Sequence, residues 1–169
     1  CCSCSFRCQY SRLPKDYLYL RHRPVIGLLQ RVRQARIEVQ NQNIAEIGIG
    51  LLVFVGVEKN DDENKADRLL QRLLGYRVFS DKQGKMNLNI TEVDGAVLLV
   101  PQFTLAADTN KGMRPGFSRA ANTERGELLF NYLLKNAHSR HSSVASGVFG
   151  ANMQVSLTND GPVTFSLQV

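Results

Sequence analysis

Apolar and polar residues alternate with two different periods along this chain, and the switches between them outline its elements. From Ile26 to Val32 the sequence reads as a first strand, and Ile37 and Val39 then alternate with Arg36 and Glu38. Asn41, Gln42 and Asn43 read as a turn, because Asn tolerates the backbone angles that turns need. Ile49 to Val57 is apolar almost throughout, as a strand covered on both faces would be. The period then lengthens. Asn60-Asp61-Asp62-Glu63 supplies caps and acidic side chains where a helix leaves N–H groups unpaired. Ala66, Leu69, Leu70, Leu73 and Leu74 follow at the spacing of a helix buried on one side, with Gly75 as its stop.

Val78-Phe79 and Met86 to Ile90 flank a polar loop, Ser80 to Lys85, and Gly95 to Val100 is a second buried strand that runs straight into Pro101-Gln102-Phe103-Thr104. A second helix is predicted from about Thr123, burying Leu129, Leu133 and Ala137. Asn136 to Gly147 is polar and reads as a mobile segment. Period two then returns: Met153, Val155 and Leu157 alternate with polar residues, as do Val163, Phe165, Leu167 and Val169. Between those runs, Asn159-Asp160-Gly161-Pro162 concentrates turn chemistry, and the plain reading is a final hairpin. Strands, helix, strands, helix, strands, with no repeat or internal linker, predict one mixed α/β domain over residues 25–169, mostly antiparallel sheet packed with two main helices.

Composition narrows the function classes. A chain of 169 residues, 43% hydrophobic, can bury a real core, and it contains no apolar run near the ~20 residues that span a membrane. The formal charge of +6 is concentrated in the head: residues 1–24 hold Arg7, Arg12, Lys15, Arg21 and Arg23 against Asp16, leaving 16 basic and 14 acidic side chains for the body. Bulk charge is therefore poor evidence for nucleic-acid binding by the domain. All four cysteines lie within the first eight residues, and no second pair stands across a loop to complete a zinc site. A body without cysteine fits a reducing cytoplasm.

No metal-binding motif occurs in the body, and no histidine lies beside Thr104 in sequence. His138 and His141 are expected at the surface. A hydrolase built on this chain would work by orientation and main-chain electrostatics. Thr104, at the end of a buried strand, is either a site residue or a hydroxyl satisfying a local backbone group.

Several motifs together change the picture: Val100-Pro101-Gln102-Phe103-Thr104-Leu105-Ala106-Ala107-Asp108-Thr109, Gly84-Lys85-Met86-Asn87-Leu88, Gly112-Met113-Arg114-Pro115, and the tail from Leu157 to Phe165. In that order they closely resemble the D-aminoacyl-tRNA deacylase family, from about Val25 to Val169. The resemblance implies an ester hydrolase that releases the D-amino acid from D-aminoacyl-tRNA, and glycine from glycyl-tRNA, while rejecting L-aminoacyl-tRNA. It implies a cytoplasmic homodimer acting on the 3′ end of tRNA, with no cofactor. Gln102, Phe103 and Thr104 match the family's active-site motif, with Thr104 either orienting water or attacking directly. Gly161 and Pro162 match a Gly-cisPro pair that one subunit inserts into the other's site to read chirality, with Asn159, Val163 and Thr164 around it. Arg31 matches a residue that braces this pair, although by itself it reads as an exposed strand-edge Arg. Phe149 and Met153 match an adenosine pocket, although Met153 on an alternating strand also reads as core. Lys82, Lys85, Lys111, Arg114 and Arg119 are candidates for tRNA contact or plain solvated loop charge.

Two departures stand out. Pro101 occupies a position that is usually Ser in the family and Pro in a related animal-type enzyme acting on L-aminoacyl-tRNA, which raises the prospect of relaxed chirality. Val25 stands where family chains begin with Met, so residues 1–24 are expected to be a disordered, non-native upstream extension, with a targeting or metal-binding head as the alternative. A dimer that binds the tRNA end without catalysis is the reading from another function class.

Overall fold

The computed structural model describes residues 25–110 and 112–169; the expectations placed on residues 1–24 and on Lys111 lie outside them. Most of the sheet is tied to one long strand, β1 (Ile26–Val39), which continues through the position where the sequence suggested two separate runs. The turn that follows is Gln40–Asn41, one residue earlier than expected, and both residues have positive φ (51° and 63°). Such two-residue turns match the twist of a hairpin. Beyond it, β2 (Gln42–Ile47) pairs with the second half of β1, and β3 (Gly50–Gly56) pairs with the first half, both antiparallel.

β3 lies between β1 and β6 (Ala96–Pro101), with which it is parallel. Its Leu51, Val53 and Val55 belong to one core and Leu52 to another, so the unbroken apolar run has a cause: both faces are covered. One core is roofed by α1 (Glu63–Gly75) and α2 (Thr123–Arg140), through Leu69, Leu70, Leu73, Leu129 and Leu133. The other gathers Val32, Ile37, Ile47, Leu52, Leu98 and Val100 where the coiled sheet turns back on itself. Both helices begin as the sequence predicts: Asp62 accepts the Lys65 N–H, and Asn122 accepts the Arg125 N–H, each at 2.9 Å. β4 (Phe79–Ser80) and β5 (Met86–Leu88) make a small separate hairpin.

Three expectations fail. The polar stretch from Asn136 is ordered: α2 runs on to Arg140, and β7 (Val144–Ser146) then joins β6 in parallel. His141 is buried, because it extends the four-residue stripe of Leu129, Leu133 and Ala137, and its Nε2 lies 2.7 Å from the Gly95 carbonyl oxygen. The final hairpin does not form either. β8 (Gln154–Gln168) is one strand whose two halves both pair with β1, antiparallel, rather than with each other. Its first half feeds Val155 and Leu157 to the inner core, and its second feeds Phe165 and Leu167 to the helix-covered one. A strand that changes the face it serves needs an irregular segment at the changeover, and Asp160 to Val163 is that segment.

Candidate active site

β6 ends in a tight turn. Gln102 N–H still bonds to the Val55 carbonyl (2.8 Å), and the chain then enters a short 3₁₀ helix, Phe103–Ala106. The first bond of that turn is Leu105 N–H to Gln102 O (3.2 Å), so the amides of Phe103 and Thr104 are not consumed by it. Gly56 lies under the turn, where an added Cβ would stand 2.8 Å from Leu105 Cβ and 3.3 Å from Gln102 O. The Thr104 hydroxyl is exposed and accepts a hydrogen bond from Gln102 Nε2, a side-chain partner rather than the local backbone one expected of a purely structural threonine. Phe103 is 60% exposed and its ring packs on that of Phe117, itself 42% exposed, with centroids 5.3 Å apart.

A cleft of about 240 Å³ opens beside this turn. Pro101, Gln102 and Phe103 form one wall, Phe149 and Gly150 a second, and Ala121 to Thr123 with Gly126 a third. Gly126 sits inside α2 where a Cβ would come 3.2 Å from Phe149 Cζ, so the glycine lets the ring close against the helix. The third wall is carried on a charged platform. Buried Glu58 pairs with Arg119 (3.1 Å), buried Asp61 pairs with Lys65 (3.2 Å), and Arg125 donates to the Asp61 carbonyl (3.1 Å). Burial raises the Asp61 carboxyl above its ordinary pKa of 3.8, against the bonds it accepts from Glu58 N–H and Lys65.

The irregular segment of β8 is a second feature with built geometry. Thr164 pairs with Gln30 and Asn159 with Val32, so Asp160 to Val163 bulge out opposite Arg31 alone. Within the bulge Gly161 has φ +125° and the Gly161–Pro162 peptide is cis. The bulge is laced on itself: Asn159 Oδ1 accepts the Val163 N–H (2.8 Å), and Asn159 Nδ2 donates to Thr164 Oγ1 (2.9 Å). Arg31 braces it from the neighbouring strand. Its Nε donates to the Asp160 carbonyl (3.1 Å), its Nη1 donates to the Val78 carbonyl, and its side chain is only 11% exposed. An exposed strand-edge Arg it is not. Gly161 and Pro162 themselves face solvent.

These two features are far apart within one chain. Arg31 is in register with Leu51, and Leu51 with Val97, four residues before Pro101. The bulge therefore lies about 13 Å back along the sheet from the strand end, and three strand spacings across it, from β8 through β1 and β3 to β6.

The match with known proteins decides the lineage. The model of the family described as D-Tyr-tRNA(Tyr) deacylase matches residues 28–168. The chain belongs to that family. Its members include proteins named D-aminoacyl-tRNA deacylase from Pseudomonas putida strain F1, 61% identical over 143 residues (85% of this chain, 99% of the relative), and from Escherichia coli O1:K1, 55% identical over 145 residues (86% and 100%). Among solved structures, one titled c-Myc DNA Unwinding Element Binding Protein superposes with a TM-score of 0.81 at 34% identity, covering 84% of this chain and 97% of its own. A probable eukaryotic D-amino acid tRNA deacylase shares the fold, with a TM-score of 0.74 at 18% identity over 86% of this chain and 99% of its own.

Against the deacylase motif, the fold brings Gln102, Phe103 and Phe149 to one cleft, with Thr104 bonded to Gln102 at its edge. It gathers Arg31, Asn159, Gly161, Pro162, Val163 and Thr164 at the bulge. Met153 is half-buried against the inner core, with its sulfur close to Gly147. Lys82, Lys85 and Arg114 are exposed loop cations outside the cleft lining, and Arg119 is held by Glu58. The third wall, Ala121 to Gly126, was missed from the sequence. A glycine placed four residues into a helix was the available signal.

Proposed function

We propose that this protein hydrolyses the ester joining a D-amino acid, or glycine, to the terminal adenosine of tRNA, working as a cytoplasmic homodimer in which each subunit's Gly161–Pro162 bulge enters the other's cleft. The observation that carries the reading is the separation just described. A bulge so elaborately held, yet solvent-facing and distant from its own strand end, makes sense as a part lent to a second copy.

The adenosine would lie against Phe149, with the ester at Phe103 and Thr104. Water attacks the ester carbonyl, and the developing oxyanion takes the amides that the 3₁₀ turn leaves over. The bond from carbonyl carbon to ribose oxygen then breaks, and the water's proton ends on that oxygen, with the neighbouring ribose hydroxyl as a relay. Thr104, held by Gln102, orients the water. Main-chain carbonyls of the inserted bulge accept the α-ammonium. That fixes the ammonium, so only hydrogen fits on the face nearest the bulge. A D side chain points away, glycine has none to place, and an L side chain collides. Exclusion by collision discriminates far better than one added contact.

The test is release of labelled amino acid from D-aminoacyl-, glycyl- and L-aminoacyl-tRNA. Turnover of the first two alone is the expected result. Binding without release would favour a tRNA-end-binding protein, and turnover of the L-ester would assign Pro101, which lines the cleft, a part in altered selectivity.

A further inference from the structure

The cleft does not stop at Asn122. A second depression of about 310 Å³ shares Ala121 and Asn122 with it and is otherwise lined by Lys59 and Arg125. The acids nearby are already matched: Glu58 with Arg119, Asp61 with Lys65, Glu63 with Arg125, and Asp62 with the first turn of α1. Lys59 differs. Its main chain is fixed, because its N–H donates to the Arg119 carbonyl (3.0 Å), whereas its ammonium has no hydrogen bond or ion pair among the described residues. Arg125 is held at two points yet keeps 39% of its side chain exposed. A fixed backbone carrying an unmatched cation at the end of an apolar cleft suits one fixed anion.

We propose that this depression receives the phosphate on the 5′ side of the substrate's terminal adenosine, with Lys59 as the main cation and Arg125 beside it. The inference rests on the reading of the cleft given above. A ribose carries its base, its ester-bearing hydroxyls and its 5′-phosphate in three diverging directions, and the cleft has three walls. With the base on Phe149 and the ester at Phe103, the phosphate is left with the wall of Ala121 and Asn122, beyond which Lys59 stands.

The experiment compares two substrates that differ in that phosphate: D-aminoacyl-tRNA and a D-aminoacyl-adenosine ester ending in a free 5′-hydroxyl. Lys59→Gln is expected to raise KM for the tRNA roughly fivefold to tenfold, the effect of one exposed charge-assisted contact, with kcat unchanged. The same variant should leave the adenosine ester unaffected. The slope of log KM against log salt should fall by about 0.7, the loss of one contact to a single strand. Lys135→Gln, on the exposed side of α2, controls for general electrostatics and should change neither. Equal effects of Lys59→Gln on both substrates, or none on the tRNA, overturn the proposal while leaving the deacylase reading intact. Failure of the unaltered protein to cleave either ester overturns both.

Discussion

Arg31 on β1 and Asp160 on β8 are joined twice: the arginine Nε lies 3.1 Å from the aspartate's main-chain oxygen and 3.2 Å from its carboxylate. The main-chain contact is the more consequential, since it fixes the peptide that leads into Gly161. The other arm of the same guanidinium holds the Val78 carbonyl, so one side chain ties the bulge to the start of the β4–β5 hairpin. A lysine cannot serve both acceptors. Arg31→Lys is expected to cost roughly 1–2 kcal/mol, the range for a buried acceptor that loses its donor. Hydrolysis of D-aminoacyl-tRNA should suffer more than stability. Chemical denaturation beside a release assay checks this, and full turnover in a destabilised variant would show that the brace is only structural.

Thr104 separates two chemistries. If its hydroxyl orients water, Thr104→Val should lower kcat by about tenfold to a hundredfold and leave residual turnover from the main-chain amides. If it is the nucleophile, loss should be on the order of 10⁴-fold or more, as when a covalent catalyst is removed. Single-turnover hydrolysis of D-aminoacyl-tRNA gives the answer, and the account expects the smaller loss.

Gly126→Ala probes the cleft from behind. The added methyl would stand 3.2 Å from Phe149 Cζ, and the ring can yield by swinging toward the open cleft it lines. Alanine also favours helix by about 1 kcal/mol over glycine. Thermal stability should therefore be kept or slightly raised while KM for the tRNA ester rises several-fold. A variant with unaltered KM would remove Phe149 from the substrate site.

How far this could be read from the sequence depended on whether a signal was local. The apolar run of β3 and the stripe of α1 were legible because each reports a face that neighbours cover, whatever those neighbours are. His141 was misread because its partner, the Gly95 carbonyl, lies 46 residues away and a polar neighbourhood hid the stripe it completes. The tail was misread because Asn-Asp-Gly-Pro specifies an irregular backbone without saying whether the chain reverses. That was decided by β1, which accepts both halves of β8. Lys59 drew no attention because its significance lies in what surrounds it: three nearby acids with cations of their own.

Asp61 gives a pH signature. Its pKa in the fold is raised, chiefly by burial, above the ordinary value of 3.8. The unfolded chain therefore gives up this proton first as pH rises, and the group's contribution to stability declines between 3.8 and its higher value in the fold. Asp61→Asn keeps an acceptor for the Glu58 N–H and cannot ionise, so its stability should lose that component of the slope. Urea denaturation at several pH values across the weakly acidic range checks it; identical slopes in the two proteins would contradict the assignment.

The most direct test of a site shared between subunits is complementation. Gly161→Ala should disable the bulge, since a Cβ there would meet Val163 Cγ2 at 2.8 Å and Arg31 Nη2 at 3.0 Å at a φ of +125°. Thr104→Val disables the strand end. Each variant alone is expected to be impaired. After the two are unfolded together and reassembled, half the dimers are mixed, and each mixed dimer has one site built from an intact strand end and the other subunit's intact bulge. Turnover of D-aminoacyl-tRNA should then recover to about a quarter of the unaltered protein's, as two-fold symmetry requires. No recovery above the separate variants would mean that bulge and strand end do not meet across subunits.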